Sequence, residues 1–365
     1  MGFGRFIYTP ILPGMIAGVP VSAADAGTIA AGNFAGYLVG AVLSAYGWGA
    51  GRERKIAVGG LLVTALMLAA MGMTSSVAAF TVIRFLAGLA SALAMIFTSS
   101  IVLPHAGGRP LVSMLHFGGV GAGIALSSVL VLVVNAIAGD AAHGWRLDWF
   151  CAAAFTFAIF VFVQFALPRP HGDATAAPEP ALVWRLPLVL TTLSYGLFGF
   201  GYVITATFLV TIARMGHAGP LVEFLSWFVA GCAAAVSLAV WHPAVRRFGL
   251  SICYVAALGL LLAGVLASVE LPPTSGTLFG GLLFGLTFMG ITAFGLQIAR
   301  QLAPQSPRRA IAVLTAAFGT GQIVGPLVAG YVAERSGSFA APSMLAAAIL
   351  LLAMLLTVPL VRARV

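Results

Sequence analysis

Two arginines lie inside long apolar stretches of the sequence, where a positive charge is unfavourable. Arg84 stands in VIRFLAGLASALAMI and Arg5 in GFGRFIYTP. A charged side chain at the centre of a membrane helix costs about 2.5 to 3.5 kcal/mol on insertion scales, so it is by default a functional hypothesis. For Arg84 two interpretations stay open. It either binds or couples to an anionic ligand, or it has a structural role and bonds to carbonyls of neighbouring helices.

The interpretation of Arg5 depends on where the chain begins. Residues 1–17 reach only about 25 Å as a helix, and no basic flank precedes them. If Met1 is the natural start, Arg5 is an anchor at the membrane surface. If further residues precede Met1, Arg5 lies deep in the first helix.

Several uncharged polar residues also fall within apolar segments and are candidates to line a cavity. Asn33 and Tyr37 are four residues apart and therefore share a helix face. His116 can take up a proton near pH 6.5, or it is an ordinary packed polar residue. The complete set of uncharged candidates is His116, Asn33, Tyr37, Tyr8, Tyr195, Tyr202, Gln297 and Gln322.

Sequence signatures of enzymes are missing. The chain has no GxSxG, no HExxH, no Walker loop and no pair of carboxylates within an apolar segment. Its three cysteines have no CxxC spacing and no histidine at metal-ligand distance. We therefore expect neither catalysis nor a metal or cofactor.

The composition is that of a membrane protein, since 61% of the 365 residues are hydrophobic and 7% are charged. A bilayer crossing needs about 20 mainly apolar residues. Division at charged and turn-forming residues predicts twelve helical crossings: 1–17, 26–48, 56–73, 77–103, 111–138, 147–167, 187–213, 221–241, 251–269, 276–299, 310–332 and 341–361. The predicted fold is an all-α membrane protein of two six-helix bundles, residues 1–167 and 187–365, joined by a cytoplasmic linker at 168–186.

The net charge of +9 comes from basic residues scattered between apolar runs, so we expect no nucleic-acid partner. If both termini are cytoplasmic, thirteen basic loop residues face the cytoplasm and only Arg146, Arg214 and Arg335 face outward. This bias predicts that orientation in a bacterial inner membrane. The cytoplasmic set is Arg52, Arg54, Lys55, Arg109, Arg169, Arg185, Arg246, Arg247, Arg300, Arg308, Arg309, Arg362 and Arg364.

Glycine-rich motifs repeat in the two halves about two hundred residues apart. FGGVGAGIALSS begins at Phe117 and FGTGQIVGPLVAG at Phe318. Gly321, Gly325 and Pro326 indicate close helix packing and a bend in the eleventh segment. Two parallel six-helix repeats are the arrangement of major facilitator transporters.

Several motifs carry a resemblance to a known family. GFGRFIYTPILP from Gly2, RFLAGLASA from Arg84 and GWRLDW from Gly144 resemble the major facilitator superfamily, and the first is similar to its YbfB/YjiJ-type branch. The resemblance implies that Arg84 is the fourth-helix arginine associated with coupling. It also implies a gating role for the loop holding Arg52 and Arg54, a first helix shortened at its start, and a monomer.

Together these patterns predict an ion-coupled transporter of a small organic solute. Because the charges within the predicted membrane helices are positive, an anion such as a carboxylate is the natural solute, and protons are the expected coupling ion. Two alternatives stay open: efflux of neutral sugars or drug-like compounds, and a non-transporting membrane receptor with the same fold.

Overall fold

The computed structural model describes residues 1–46, 48–105, 110–138, 144–168 and 179–362. These residues form thirteen helices and no strand. The helices are α1 (Gly2–Phe6), α2 (Tyr8–Gly18), α3 (Ala23–Ser44), α4 (Glu53–Gly72), α5 (Val77–His105), α6 (Pro110–Ala138), α7 (Gly144–Ala166), α8 (Leu186–Met215), α9 (Pro220–Phe248), α10 (Leu250–Glu270), α11 (Pro273–Leu302), α12 (Pro307–Ser336) and α13 (Ala340–Arg362).

Within the described ranges, eleven helices are long and apolar enough to cross a membrane, and these are α3 to α13. The first predicted crossing, 1–17, is instead two short helices, α1 and α2, which meet at Ile7. Ile7 keeps right-handed helical dihedral angles, so the two segments continue in nearly the same direction. The prediction of twelve crossing elements is confirmed, with the first of them divided.

Most predicted segments agree with the observed helices to within four residues. The largest difference is α9, which continues seven residues beyond the predicted end at Trp241. Arg246 and Arg247 lie in its last turn, where positive charges favour a helix C-terminus. The helix ends at Gly249, whose φ of 86° suits glycine.

The helices pack as two groups. In the N-terminal group, α5 packs on both α3 and α4, and α4 also packs on α7. In the C-terminal group, α11 packs on α9 and α10, and α8 on α12 and α13. Close approach of α3 and α5 needs glycine: a Cβ at Gly36 would collide with the Phe85 carbonyl oxygen, and one at Gly88 with that of Asn33.

The largest contacts between the two groups are those of α3 with α12, α6 with α9 and α2 with α8, and we call these three contacts the seam. The helices alternate in direction, so the molecule has two ends. We call the end that carries Arg52, Arg54, Lys55, Arg246 and Arg247 the basic end. The other is called the opposite end.

Part of the predicted linker, residues 169–178, lies outside the described residues, as do Arg109, Arg169 and Arg364. Glu179 is described and contacts the start of α12. Its carboxylate accepts hydrogen bonds from the backbone N–H of Arg308 (3.0 Å) and Arg309 (3.2 Å). A carboxylate is favourable at this position because helix N-termini attract negative charge.

Candidate functional site

Arg84 is buried, 2% exposed, and it holds the first helix in place. Its guanidinium donates to the carbonyl oxygens of Gly4 (3.4 Å) and Arg5 (2.8 Å). The guanidinium carbon also lies 5.1 Å from the centre of the Tyr8 ring, a favourable cation–π distance. These contacts are those of a residue that positions α1.

Arg5 is also buried, 4% exposed, and its guanidinium is enclosed by aromatic rings. The guanidinium carbon lies 4.3 Å from the ring centre of Tyr37, 4.6 Å from that of Phe34 and 5.5 Å from that of Phe6. The negative faces of these rings partly compensate its charge. The aromatic rings accept no conventional hydrogen bond from it.

Two guanidinium nitrogens of Arg5, Nε and Nη2, are buried and have no hydrogen-bond partner among the described residues. Buried polar groups nearly always have partners, so each exception needs an explanation. A free, buried, positively charged donor is what a site for an anion requires before the anion binds. Arg5 is therefore the centre of the candidate site.

The C-terminal half contributes a buried polar pair. The Gln322 Nε2 amide donates to the Tyr202 hydroxyl, and the charge of Arg5 acts electrostatically on that hydroxyl. Tyr202 and Gln322 lie near the middle of α8 and α12, each of thirty residues. The site is thus at the mid-depth of the bundle, between the halves, where major facilitator proteins bind their solutes.

A set of nearly parallel aromatic rings surrounds Tyr202, and we call Tyr202, Phe284, Phe288 and Phe318 the aromatic stack. The Tyr202 ring makes angles of 7° with Phe284, 0° with Phe288 and 7° with Phe318, at centroid distances of 6.2, 6.0 and 5.5 Å. Phe6 of the N-terminal half meets this stack edge-on at Phe288, 6.2 Å away. Aromatic residues of both halves therefore meet beside Arg5.

A cavity of about 500 Å³ opens toward the basic end. One wall runs from Tyr37 to Tyr46, the last part of α3 and the two residues after it. The other is the first part of α12, from Arg308 to Ala316. This volume is within the range for small-molecule sites. Tyr37 belongs to this wall and to the cage around Arg5, so the cavity adjoins the candidate site.

Contacts across the seam narrow the opposite end. Glu334 of α12 accepts hydrogen bonds from the Ser22 hydroxyl (2.7 Å) and the Ala24 backbone N–H (3.0 Å). A Cβ at Gly27 would collide with the Pro326 carbonyl oxygen, which shows how closely α3 and α12 approach there. These contacts leave a cavity of about 340 Å³ at the opposite end, lined from both halves by residues that include Pro13, Ser22, Thr211 and Glu334. The cavity at the basic end is the larger of the two.

The remaining predicted binding residues have different surroundings. Asn33 Nδ2 donates to the Arg84 carbonyl oxygen (2.9 Å). The Tyr8 hydroxyl donates to the Ala26 carbonyl oxygen (3.0 Å). His116 Nε2 is 2.8 Å from the Ser99 hydroxyl and is half-buried toward the basic end. Gln297 is exposed on α11 and does not belong to the buried cluster around Arg5.

Of the predicted gating and packing residues, Gly321 and Gly325 pack against α8 of their own half, and Pro326 faces Gly27 across the seam. Arg54 donates to the carbonyl oxygens of Leu167 (3.2 Å) and Gln164 at the end of α7. It therefore ties its loop to the N-terminal half. Arg52 is exposed at the start of α4.

Sequence reasoning missed two buried polar groups. Asp148 is buried in α7 at 3% exposure, and its Oδ1 has no hydrogen-bond partner among the described residues. It interacts electrostatically with Arg214 of the other half. Trp227 is fully buried with an unpaired Nε1, again within the described ranges. The acid inside GWRLDW was a visible signal for the first, whereas nothing in the sequence marks the second.

This site has an arrangement suited to a solute carrier: a buried cationic donor lies between two helical halves and adjoins the larger cavity at the basic end. The fold and site define a major facilitator transporter. Residues 1–358 match the family described as "Uncharacterised MFS-type transporter YbfB", and the chain belongs to that family. The predicted superfamily and branch are confirmed.

Solved structures share the fold at low sequence identity. A mutant of the nucleoside transporter NupG superposes with a TM-score of 0.77 at 13% identity, covering 98% of this chain and 96% of that one. A bacterial homolog of the human lysosomal transporter Spinster, in an inward-facing and unoccupied conformation, gives 0.74 at 13%, covering 98% and 93%. The human organic anion transporter MFSD10 gives 0.61 at 19%, covering 92% and 82%. No curated protein matches the sequence.

Proposed function

We propose that the protein is a secondary active transporter that moves a small organic anion, such as a carboxylate, by alternating access. The observation that carries this proposal is the pair of unpaired donors on buried Arg5. A buried charge without a counter-charge is unfavourable, and an anionic solute would supply that counter-charge. The two ion pairs of the described residues, Arg214 with Glu223 and Arg308 with Glu179, involve neither Arg5 nor Arg84.

The proposed moving bodies are the bundles 1–167 and 187–365, joined by the linker 168–186. Rocking of the two bundles would break the contacts of Glu334 with Ser22 and Ala24 at the opposite end and would close the cavity at the basic end. We place the basic end and both termini in the cytoplasm of a bacterium, on the charge bias of the loops. The cavity at the basic end, which is larger than the one at the opposite end, then faces the cytoplasm.

The negative charge of the proposed solute supports coupling of its transport to protons. Carrying one negative charge inward against the membrane potential costs about 2.3 kcal/mol per 100 mV. A proton carried with the anion removes this cost. His116 is the candidate carrier from the sequence, and Asp148 is the buried carboxylate that the structure adds.

The test is uptake into proteoliposomes with internal pH as the readout. Small carboxylates, neutral sugars and amphipathic cations are added in turn to wild type, Arg5→Gln and Arg247→Gln. The third protein is the matched control, because Arg247 is exposed at the basic end. We expect internal pH to change with carboxylates only, and the change to be lost in Arg5→Gln but kept in the control.

Two other outcomes favour the alternatives. Flux of a neutral solute that survives Arg5→Gln would point to efflux of neutral sugars or drug-like compounds, for which the Tyr202 and Gln322 pair offers neutral hydrogen-bonding groups. Ligand binding without flux would point to a receptor with this fold.

A further inference from the structure

The aromatic stack presents its ring faces in one common orientation. Phe284 and Phe288 are parallel to within 6° at 4.9 Å, and both are parallel to Tyr202 within 7°. Farther along α11, by contrast, Phe294 meets Trp241 edge-on, at 82°. Offset parallel rings are a favourable arrangement for aromatic groups, and they favour a further flat ring in the same orientation.

Phe6 is the residue of the N-terminal half that covers this surface. Its ring lies 6.2 Å from Phe288 and 6.4 Å from Trp227, both of the C-terminal half. If the halves separate during transport, Phe6 and these two rings must part. The surface that Phe6 covers would then be open to a solute between the halves.

Two unpaired donors flank this contact. The Arg5 guanidinium carbon lies 5.5 Å from the Phe6 ring centre, and Trp227 approaches that ring from the other half. Arg5 Nη2 and Trp227 Nε1 are both buried without a hydrogen-bond partner in the described part of the chain. Trp145 and Trp149 also have an unpaired Nε1. Arg5 and Trp227 differ from them in lying on either side of the Phe6 ring, at a contact between the halves where a polar, ring-containing solute would bind.

We propose that the transported anion contains a flat aromatic or conjugated ring. Its anionic group pairs with Arg5, and its ring takes the place of Phe6 against Phe288 and Trp227. This inference rests on the proposed function and narrows its substrate class.

The experiment compares two acids of equal charge and similar size, benzoate and cyclohexanecarboxylate, which differ in the flat π-system. Binding is measured by calorimetry on the purified full chain, as wild type, Phe288→Leu and Phe279→Leu. Phe279 is exposed on the same helix and is the matched control. We expect benzoate to bind about two- to tenfold more tightly than its saturated analogue to wild type. This preference should approach unity in Phe288→Leu and persist in Phe279→Leu.

Equal binding of both acids by wild type, abolished by Arg5→Gln, would overturn the aromatic preference and leave the anion transporter standing. Failure of both acids to bind wild type would overturn both proposals. A preference for benzoate that persists in Phe288→Leu would overturn the assignment of the ring to this surface. Thermal unfolding of each variant identifies any protein that has not folded.

Discussion

The Arg84 guanidinium donates a 2.8 Å hydrogen bond to the backbone carbonyl oxygen of Arg5, so one buried arginine holds the main chain that carries the other. The two arginines that the sequence places inside apolar stretches therefore have different surroundings. Arg84 donates from both terminal nitrogens to carbonyl oxygens of α1, lies against Tyr8 and has only Nε unpaired, whereas Arg5 has both Nε and Nη2 unpaired. We infer that Arg84 positions the site and Arg5 binds the solute.

Replacing Arg84 should reduce stability more than replacing Arg5. Arg84→Gln removes bonds to the Gly4 and Arg5 carbonyl oxygens, and leaving buried acceptors unsatisfied costs about 1 to 3 kcal/mol. Arg5→Gln removes donors that have no partner in the described residues. Thermal unfolding of the purified variants should therefore show a lower midpoint for Arg84→Gln. The reverse order would contradict the two roles.

Replacing Arg5 should weaken anion binding. A hydrogen bond to a charged group contributes about 1.5 to 3 kcal/mol, so Arg5→Gln should lower affinity for the transported anion about ten- to a hundredfold. Calorimetry on detergent-solubilised protein measures this directly. Arg247→Gln removes the same charge from an exposed site and should bind as wild type does. An equal loss in both variants would indicate an effect of overall charge.

Trp227→Phe should lower the rate of transport without a matching loss of stability. The substitution removes the unpaired Nε1–H and keeps an aromatic ring in place, so the unfolding midpoint should fall little or rise. Transport should fall if that donor meets the solute. Both are measured on the same preparation, by thermal unfolding and by the initial rate of uptake. Unchanged transport would exclude the indole N–H from the site.

Gly27→Val should prevent closure of the opposite end. A branched side chain there meets the Pro326 carbonyl oxygen across the seam, so α3 and α12 cannot approach as they do in this structure. Spin labels at Met73→Cys and Ser338→Cys, which are exposed at that end in different halves, should then report a longer distance.

The matched control for that experiment is Gly59→Val, since a Cβ at Gly59 meets no atom within 4 Å. The native Cys151, Cys232 and Cys253 are replaced by serine beforehand so that only the introduced thiols are labelled. A long distance in both variants would show that the glycine contact does not set the closed state.

The crossing helices were predictable because each depends on local composition. Apolar length and flanking charge give eleven of the twelve crossings, and the spacing of Gly321 and Gly325 predicts close packing of α12, which the structure shows against α8. The division at Ile7 was not predictable, because residues 1–18 form one continuous apolar pattern with helix-compatible prolines. The extension of α9 past Pro243 was missed because proline and the following arginines suggest an end.

The candidate site was only partly predictable, because pairing of buried groups depends on contacts between distant segments. The sequence marked Arg5 and Arg84 as buried charges. It could not show that Arg84 is the one whose guanidinium donates to carbonyl oxygens of α1. Tyr202 and Gln322 were candidates, and the structure joins them. The unpaired indole of Trp227 was invisible, because a tryptophan in an apolar helix is ordinarily part of the packing.

The cavity at the basic end has walls from both halves, with Tyr37 to Tyr46 on one side and Arg308 to Ala316 on the other. A compound that fills it would act as a wedge, since the halves must approach there before the other end can open. Such a blocker would compete with solute from the side of the basic end alone. It would trap one conformation without being carried, and the exposed ring of Tyr46 gives it a natural contact.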